Sequence, residues 1–206
     1  MSDNMFNWEK DADGVVVLTM DDPNQGANTM NELFMTSLPG IVDRLEAEKD
    51  DITGVVLTSA KKTFFAGGDL KDMTAERTQS KEEIATAITE RTNKMKKVMR
   101  RLETLGKPVV AAINGAALGG GLEIALHTHY RVAADVKGVQ IGLPEATLGL
   151  LPGGGGVVRT VRLLGIQNAL MGVLLQGTRF NPTKAKETGL VDEVVGSIEE
   201  LIPAAK

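Results

Sequence analysis

Two carboxylates in the chain stand directly beside glycine-rich turns. Glu123 follows the glycines at 119 to 121, and Glu145 closes a short apolar segment that is soon followed by four glycines at 153 to 156. Glycines let a ligand approach bare backbone, and the first N–H groups of a helix have no partner inside it. Such N–H groups, at the positive end of the helix dipole, stabilise an oxygen that becomes negative. This pattern predicts acid–base chemistry on a carbonyl compound.

Short β-branched strands alternate with amphipathic helices along the chain. The predicted strands are 14–20, 54–59, 109–113, 130–134 and 139–143. The predicted helices are 30–47, 81–104, 156–164, 166–175, 182–188 and 198–206, and another helix carries Glu123 in its first turn. Such an order predicts an α/β layered fold. At 206 residues the chain is expected to form a single domain, 1–206, with its own core.

The composition excludes several classes of function. The net charge of −4 argues against a nucleic-acid partner, since phosphate backbones are met by clustered Lys and Arg. No cysteine is present, which excludes disulfides, thiolate nucleophiles and sulfur-ligated metals. The amino terminus lacks the features of a signal peptide, and the apolar run 108–126 contains Asn114, Glu123 and four glycines, which are unfavourable in lipid. We therefore expect a soluble, cytoplasmic protein without membrane insertion.

Four segments, in this order along the chain, resemble motifs of the enoyl-CoA hydratase/isomerase (crotonase) superfamily. They are Phe-Ala-Gly-Gly-Asp-Leu at 65–70, Gly-Ala-Ala-Leu-Gly-Gly-Gly-Leu-Glu at 115–123, Gly-Leu-Pro-Glu-Ala-Thr-Leu-Gly-Leu-Leu-Pro-Gly at 142–153, and Lys-Glu-Thr-Gly-Leu-Val-Asp-Glu-Val at 186–194. Within the superfamily the chain most resembles the amino-terminal hydratase part of bacterial multifunctional fatty-acid-oxidation proteins, the alpha subunits of trifunctional complexes.

The resemblance implies a crotonase-like (ClpP/crotonase) spiral of ββα units. Family members continue past the helix at 198–206 into further helices, which cover the acyl site and mediate trimer contacts. The resemblance therefore implies a single crotonase-type core domain that is truncated at its C-terminal end and lacks the usual helical layer. We expect such a chain to have an open active site, weak catalysis and exposed apolar surface that favours association.

The same resemblance assigns roles to the two carboxylates and to two backbone N–H groups. It implies that Glu123 activates water, that Glu145 supplies a proton to the α-carbon, and that Gly68 and Gly120 form the oxyanion hole. Each residue also has a purely structural interpretation. Glu123 could be a first-turn carboxylate stabilised by the helix dipole, Glu145 an exposed turn residue, and the glycines tight turns that need positive φ.

Coenzyme A carries phosphate charges, so an acidic protein that binds it needs a local basic patch. Lys61, Lys62 and Lys71 bracket the loop at 64–68 and are candidates for that patch, with a solvated surface as the alternative. The resemblance adds three contacts along the CoA moiety: Ala27, Ala66 and Leu70. Because coenzyme A is part of the substrate, neither a separate cofactor nor a metal is expected.

The remaining polar residues of these motifs are expected to be structural. Asp69 is a favoured residue type for capping a helix that starts at Leu70. The glycines at 153–156 are expected to open the next helix and to leave room for substrate near Glu145. His127 and His129 are the only histidines, and no Gly-x-Ser-x-Gly elbow accompanies them, so a hydrolase triad or metal centre lacks parts.

The sequence thus leaves three functions open. The first is a 2-enoyl-CoA hydratase of fatty-acid β-oxidation, which the presence of both glutamates favours. The second is a Δ3,Δ2-enoyl-CoA isomerase or another crotonase-type enzyme acting on CoA thioesters, for which one carboxylate generally suffices. The third, from a different class, is a catalytically silent docking or scaffold fragment. The expected partners are an acyl- or enoyl-CoA thioester and either further copies in a trimer-type homo-oligomer or a β-oxidation multienzyme complex.

Overall fold

A mostly parallel sheet lies at the centre of the computed structural model, which describes residues 4–68 and 80–206. Within those ranges its strands are β1 (Phe6–Lys10), β2 (Val15–Met20), β3 (Gly54–Ser59), β4 (Val109–Ile113), β6 (Tyr130–Ala134) and β9 (Glu193–Val195), side by side in that order. Only β1 pairs antiparallel with its neighbour. Parallel neighbours require crossover connections, and these carry the helices onto the faces of the sheet.

Side chains on the two faces of the sheet pack into two separate apolar clusters. In β3 all six residues are buried, and Val55 and Leu57 join one cluster while Val56 joins the other. This division follows from the alternation of side chains along a strand. A strand covered on both faces reads as a continuous run of apolar residues, which explains why β3 and β4 are so apolar in sequence.

Two long helices cover one face. Helix α1 (Glu32–Ala47) begins at Asn31, whose side chain accepts a hydrogen bond from the Phe34 N–H. Helix α2 (Lys81–Glu103) begins with a capping box between Ser80 and Glu83. Both helices bury their apolar stripe in the larger cluster. On the opposite face, the short helix α7 (Leu201–Ala205) packs against Val56 and the neighbouring strands through its apolar residues.

A second, smaller sheet holds the glycine-rich segments together. Among the described residues it consists of β5 (Ala117–Leu118), β7 (Ile141–Gly142) and β8 (Arg179–Phe180). Helix α3 (Gly120–Ala125) follows β5, and a 3₁₀ turn (Pro144–Leu148) follows β7. The remaining elements are a 3₁₀ turn (Lys49–Asp51) and the helices α4 (Gly156–Leu164), α5 (Ile166–Asn168), which continues as a π-helix (Ala169–Leu174), and α6 (Pro182–Thr188).

The structure confirms the α/β prediction and the strands at 54–59, 109–113 and 130–134. Three other predictions are wrong in detail. Only residues 141–142 of the expected strand 139–143 form a ladder, and the expected helix 166–175 changes to π geometry at Ala169. The C-terminal helix begins at Leu201 rather than 198. Every helix within residues 4–68 and 80–206 is too short or too polar to span a bilayer.

Candidate active site

Main-chain hydrogen bonds fix the three glycine-rich segments relative to each other. The Leu118 N–H donates to the Phe65 carbonyl at 3.3 Å, and the Gly119 N–H donates to the Gly142 carbonyl at 2.9 Å. The Phe65 ring is fully buried and packs edge-on against Phe34, with 5.0 Å between ring centroids. Bonds between β5 and its neighbours therefore hold the 65–68 loop and the end of β7 on either side of the start of α3.

The turn at Gly67 and Gly68 lies against the first residue of α3, which is Gly120. Gly67 has φ of +95°, and a Cβ built on it would stand 3.0 Å from the Leu118 carbonyl oxygen and 3.6 Å from the Gly120 nitrogen. The Gly120 N–H, as the first in its helix, has no partner within that helix. The structure thus brings the two backbone segments of the expected oxyanion hole together. Their catalytic role stays a prediction.

Glu123 is a buried carboxylate that faces backbone amides. It is 4% exposed, and the Gly156 N–H donates to its Oε1 at 2.8 Å. A Cβ built on Gly154 would stand 2.6 Å from its Oε2, so this glycine is needed for the close approach. Burial raises the pKa of Glu123, while hydrogen bonds from the amides of Gly156, Gly154 and Gly155 and the charge of Lys96 act against that rise.

Glu145 has a different environment. It lies in the first turn of the 3₁₀ segment, and its Oε1 is 3.0 Å from the position of a Cβ on Gly119. Its Oε2 is buried and has no hydrogen-bond partner among the described residues. Burial raises the pKa of Glu145 to about 7; its own main-chain N–H opposes the rise, and the charge of Glu123 adds to it.

Burial raises the pKa of both carboxylates, but the two groups differ in the number of backbone amides that oppose the rise. Three backbone amides of the 154–156 turn stabilise the anionic form of Glu123, whereas at Glu145 only its own main-chain N–H acts in that direction and the charge of Glu123 acts against it. Two acids whose environments push their pKa values apart can act as base and acid at the same pH. With a pKa of about 7, Glu145 can hold a proton near neutral pH, while the amides at Glu123 favour the form that accepts one.

The segments expected along the CoA moiety lie next to each other. The Ala66 N–H donates to the Asn28 carbonyl at 2.8 Å, which joins the loops that contain Ala66 and Ala27. Asn28 is fully buried, and its side chain accepts from the Asp22 N–H and donates to the Ser59 hydroxyl. This network holds the loop at 21–31 against the 65–68 loop.

The predicted basic patch is only partly described by the structure. Lys61 forms an ion pair with Asp21 at 2.7 Å, which reduces the positive charge that it offers to a phosphate. Lys62 is exposed. Leu70 and Lys71, and the predicted helix cap Asp69, lie outside the described residues.

The structure adds contacts that the sequence did not predict. The glycines at 153–156 open α4 as expected, but Gly154 and Gly156 lie against Glu123 rather than merely leaving room near Glu145. The methyl carbon of Met30 stands 2.7 Å from the position of a Cβ on Gly120. No local sequence signal marks these contacts, since their partners lie 31 or more residues away in the chain.

The histidines have main-chain partners. His127 is buried, with Nδ1 2.8 Å from the Glu123 carbonyl oxygen, and the Val109 N–H donates to Nδ1 of His129 at 2.9 Å. In the part of the chain that the structure describes, His, Asp and Glu form no cluster of three that could hold a metal ion.

Comparison with known proteins decides the family. The profile of the enoyl-CoA hydratase/isomerase family matches residues 10–205. The chain belongs to the enoyl-CoA hydratase/isomerase family. The crystal structure of an enoyl-CoA hydratase from Bacillus anthracis superposes with a TM-score of 0.83 at 32% identity and covers 98% of this chain and 75% of that one. An enoyl-CoA hydratase from Polaromonas sp. JS666 gives 0.82 at 26% identity, covering 97% and 74%.

Several curated relatives that are similar to this chain in sequence are larger proteins. The fatty acid oxidation complex subunit alpha of Shewanella frigidimarina is 43% identical over 191 residues, which are 92% of this chain and 26% of the relative. That of Idiomarina loihiensis is 40% identical over 195 residues, or 94% and 26%. The chain thus spans about a quarter of the length of these relatives. The crotonase fold is confirmed by the solved structures.

Proposed function

We propose that this protein is a 2-enoyl-CoA hydratase that adds water across the α,β double bond of an enoyl-CoA thioester. The observation that carries the proposal is the pair Glu123 and Glu145: Glu123 lies in the first turn of α3, and Glu145 lies against Gly119, which precedes that helix. Family membership supports thioester chemistry, and the retention of both carboxylates supports hydration.

In the proposed reaction Glu123 acts as the base. Its carboxylate takes a proton from water while the water oxygen bonds to the β-carbon, and the electrons of the double bond move toward the thioester carbonyl. The amides of Gly154 to Gly156 support this role because they stabilise the anionic form of Glu123 at rest. A positioned base of this kind typically contributes about 10²–10⁴ in rate.

The negative charge that develops on the thioester oxygen needs donors. We assign this role to the N–H groups of Gly68 and Gly120, whose segments adjoin through Gly67. Donors that are already oriented toward a developing oxyanion typically contribute about 10²–10³ in turnover each. Glu145 then donates its proton to the α-carbon, which completes the hydroxyacyl-CoA. A proton moving from Glu123 to Glu145 through solvent restores the starting state.

The names of the curated relatives support a place in fatty-acid β-oxidation, where hydration of an enoyl-CoA yields a 3-hydroxyacyl-CoA. We extend this to the chain as a proposal, because it spans about a quarter of those proteins. Contact of Ala27, Ala66, Lys61, Lys62, Leu70 and Lys71 with the CoA moiety stays part of the same proposal. Oligomerisation, membership of a multienzyme complex and cytoplasmic location also stay predictions.

The test is turnover of a panel of CoA thioesters by the purified 206-residue chain. Loss of the conjugated-thioester absorbance with crotonyl-CoA and longer 2-enoyl-CoAs is expected, with 3-hydroxyacyl-CoA identified by mass spectrometry. Appearance of that absorbance from 3-enoyl-CoA alone, without hydration, would instead indicate the isomerase. A folded chain that binds CoA thioesters and converts none of them would contradict the proposal and favour the docking fragment.

A further inference from the structure

His127 supplies a hydrogen bond that the end of α3 would otherwise lack. Its peptide N–H donates to the Ile124 carbonyl at 3.0 Å, not to the Glu123 carbonyl four residues back, which is its normal helical acceptor. Instead its ring Nδ1 lies 2.8 Å from that Glu123 oxygen. A carbonyl oxygen only accepts, so Nδ1 carries a proton, and in the neutral ring Nε2 then keeps a lone pair.

The other edge of the ring supports the turn that faces the Glu123 carboxylate. Gly155 has φ of +115°, and a Cβ built on it would stand 3.2 Å from Cε1 and 3.5 Å from Nε2 of His127. The Arg159 Nε is 3.5 Å from the same point. The imidazole therefore contacts the main chain of Glu123 on one side and the middle of the 154–156 turn on the other.

We propose that His127, as a neutral Nδ1–H imidazole, is a positioning residue for Glu123, keeping the amides of Gly154 to Gly156 aimed at its carboxylate. The inference rests on the proposed function, in which Glu123 must be anionic to accept a proton from water. His127 touches neither the reacting atoms nor the carboxylate itself. It acts by holding the α3 main chain and the 154–156 turn at a fixed distance from each other.

The charged groups around the ring are consistent with a neutral imidazole. Burial lowers the pKa of His127 to about 4, and the charges of Arg159 and Arg100 act in the same direction. The hydrogen bond to Glu123 and the carboxylate of Glu103 oppose that change. Glu103 itself is engaged by Arg159 in two hydrogen bonds of 3.0 and 2.7 Å. A neutral ring adds no charge beside Glu123, so its contribution is geometric.

The test uses two ring substitutions that separate the two contacts. His127→Phe keeps the ring volume under Gly155 and loses the donor, whereas His127→Asn keeps a donor for the Glu123 carbonyl and loses most of the ring. His129→Asn is the matched control, because that nearby histidine also bonds main-chain groups but contacts neither Glu123 nor the turn. The readouts are the pH profile of enoyl-CoA hydration and the titration of Glu123 by ¹³C NMR of labelled glutamate.

If the 154–156 amides are no longer aligned, they stabilise the Glu123 anion less and its pKa rises. Both His127 variants should therefore shift the acidic limb of the pH–rate profile upward by about half a pH unit or more. Turnover should fall about tenfold with little change in KM. The NMR titration should show the same shift without substrate, and His129→Asn should show neither change. An unshifted Glu123 titration in folded His127 variants would overturn the inference while leaving the proposed function intact.

A measurement on the unmodified protein covers the case in which the variants do not fold. The ¹⁵N shifts of His127 between pH 5 and 8 should report a neutral ring protonated at Nδ1. A charged ring, or one protonated at Nε2, would overturn the inference. Absence of hydration by the wild-type chain with a normal His127 tautomer would count against the proposed function instead.

Discussion

Glu123 and Glu145 are the same residue type placed in surroundings that give them different chemistry. Backbone amides reach Glu123, whereas the Oε2 of Glu145 has no partner among the described residues. The sequence identified both carboxylates as candidates because each lies beside a glycine-rich turn. It could not predict the amides that distinguish them, because these belong to a turn that approaches Glu123 only in the folded chain.

The raised pKa of Glu145 has a consequence for stability. Its value of about 7 in the folded protein lies above the ordinary value of 4.5, so between these values the folded protein holds a proton that the unfolded chain has lost. The free energy of unfolding attributable to this group therefore falls as pH rises from about 4.5 to 7. Replacing Glu145 with an uncharged isostere should remove that penalty.

We predict that Glu145→Gln raises the unfolding midpoint at pH 8 by roughly 2 °C and has little effect at pH 5. Differential scanning calorimetry at the two pH values measures this. Glu123→Gln is the comparison, because its single amide oxygen cannot accept from all of the amides of Gly154 to Gly156. The loss of those hydrogen bonds offsets the removal of the charge, and no gain at pH 8 is expected. Equal midpoint changes for Glu145→Gln at both pH values would show that the buried charge is not the cause.

At the scale of elements, the start of α3 is the feature on which the site depends. The sequence predicted β3, β4 and β6 to the residue because they are short, β-branched runs buried by helices. It missed the edge strand β1, and it missed β5, β8 and β9, which have two or three residues each and are defined by their partners rather than by a pattern. The pairing of β5 with β7 brings two of the glycine-rich segments together, so the arrangement of the site depends on long-range pairing.

Two substitutions at Gly120 can separate the contribution of its N–H from the effect of adding a side chain. Proline is tolerated at the first position of a helix, where it removes an N–H that the helix does not use. A side chain there meets the Met30 methyl, so the substitutions are made in a Met30→Ala background. Gly120→Pro should lower turnover about 10²-fold more than Gly120→Ala, with similar CoA affinity.

Steady-state kinetics and CoA-thioester binding measure this difference, with circular dichroism as the control for folding. Equal turnover in the two variants would argue against a donor at Gly120. A parallel loss of binding and turnover would indicate that proline disturbs the binding site instead.

The glycine turn before α4 gives a second test at this scale. Gly154→Ala places a Cβ 2.6 Å from the Glu123 Oε2, which must move the carboxylate or the turn. We predict a fall in turnover of about 10²-fold in a protein that still folds. Gly40→Ala is the matched control, because a Cβ at Gly40 in α1 meets no atom within 4 Å. If Gly154→Ala keeps wild-type turnover, the turn does not set the position of Glu123.

At the scale of the whole molecule, exposed apolar side chains are concentrated between residues 148 and 175. They lie on α4, α5, the π-helix and the loop before them: Leu148, Leu150, Leu151, Val157, Val158, Leu163, Ile166, Leu170, Met171 and Leu175. Exposed apolar patches of this kind favour association. The sequence predicted exposed apolar surface from the family resemblance, but the helix periodicity alone could not show which face would remain uncovered.

We predict that the chain associates as its concentration rises, as measured by multi-angle light scattering. Leu151 is 82% exposed and Ile166 is 72% exposed, so Leu151→Asp with Ile166→Asp should disrupt association without unfolding the core. Lys97→Asp with Glu90→Lys, an exchange of charge on the exposed face of α2, serves as the control. Association that is unchanged in the apolar double variant, or lost in the control, would place the contact elsewhere.

The central claim, that two carboxylates of different character hydrate an enoyl-CoA, is tested most directly by the rate of crotonyl-CoA hydration in three proteins. These are the wild type, Glu123→Gln and Glu145→Gln, each of the same length and each shown to be folded. Because each substitution removes one proton-transfer group and keeps its shape, we predict a fall of at least about 10² in turnover for either variant. Hydration by either variant at close to the wild-type rate would contradict the account.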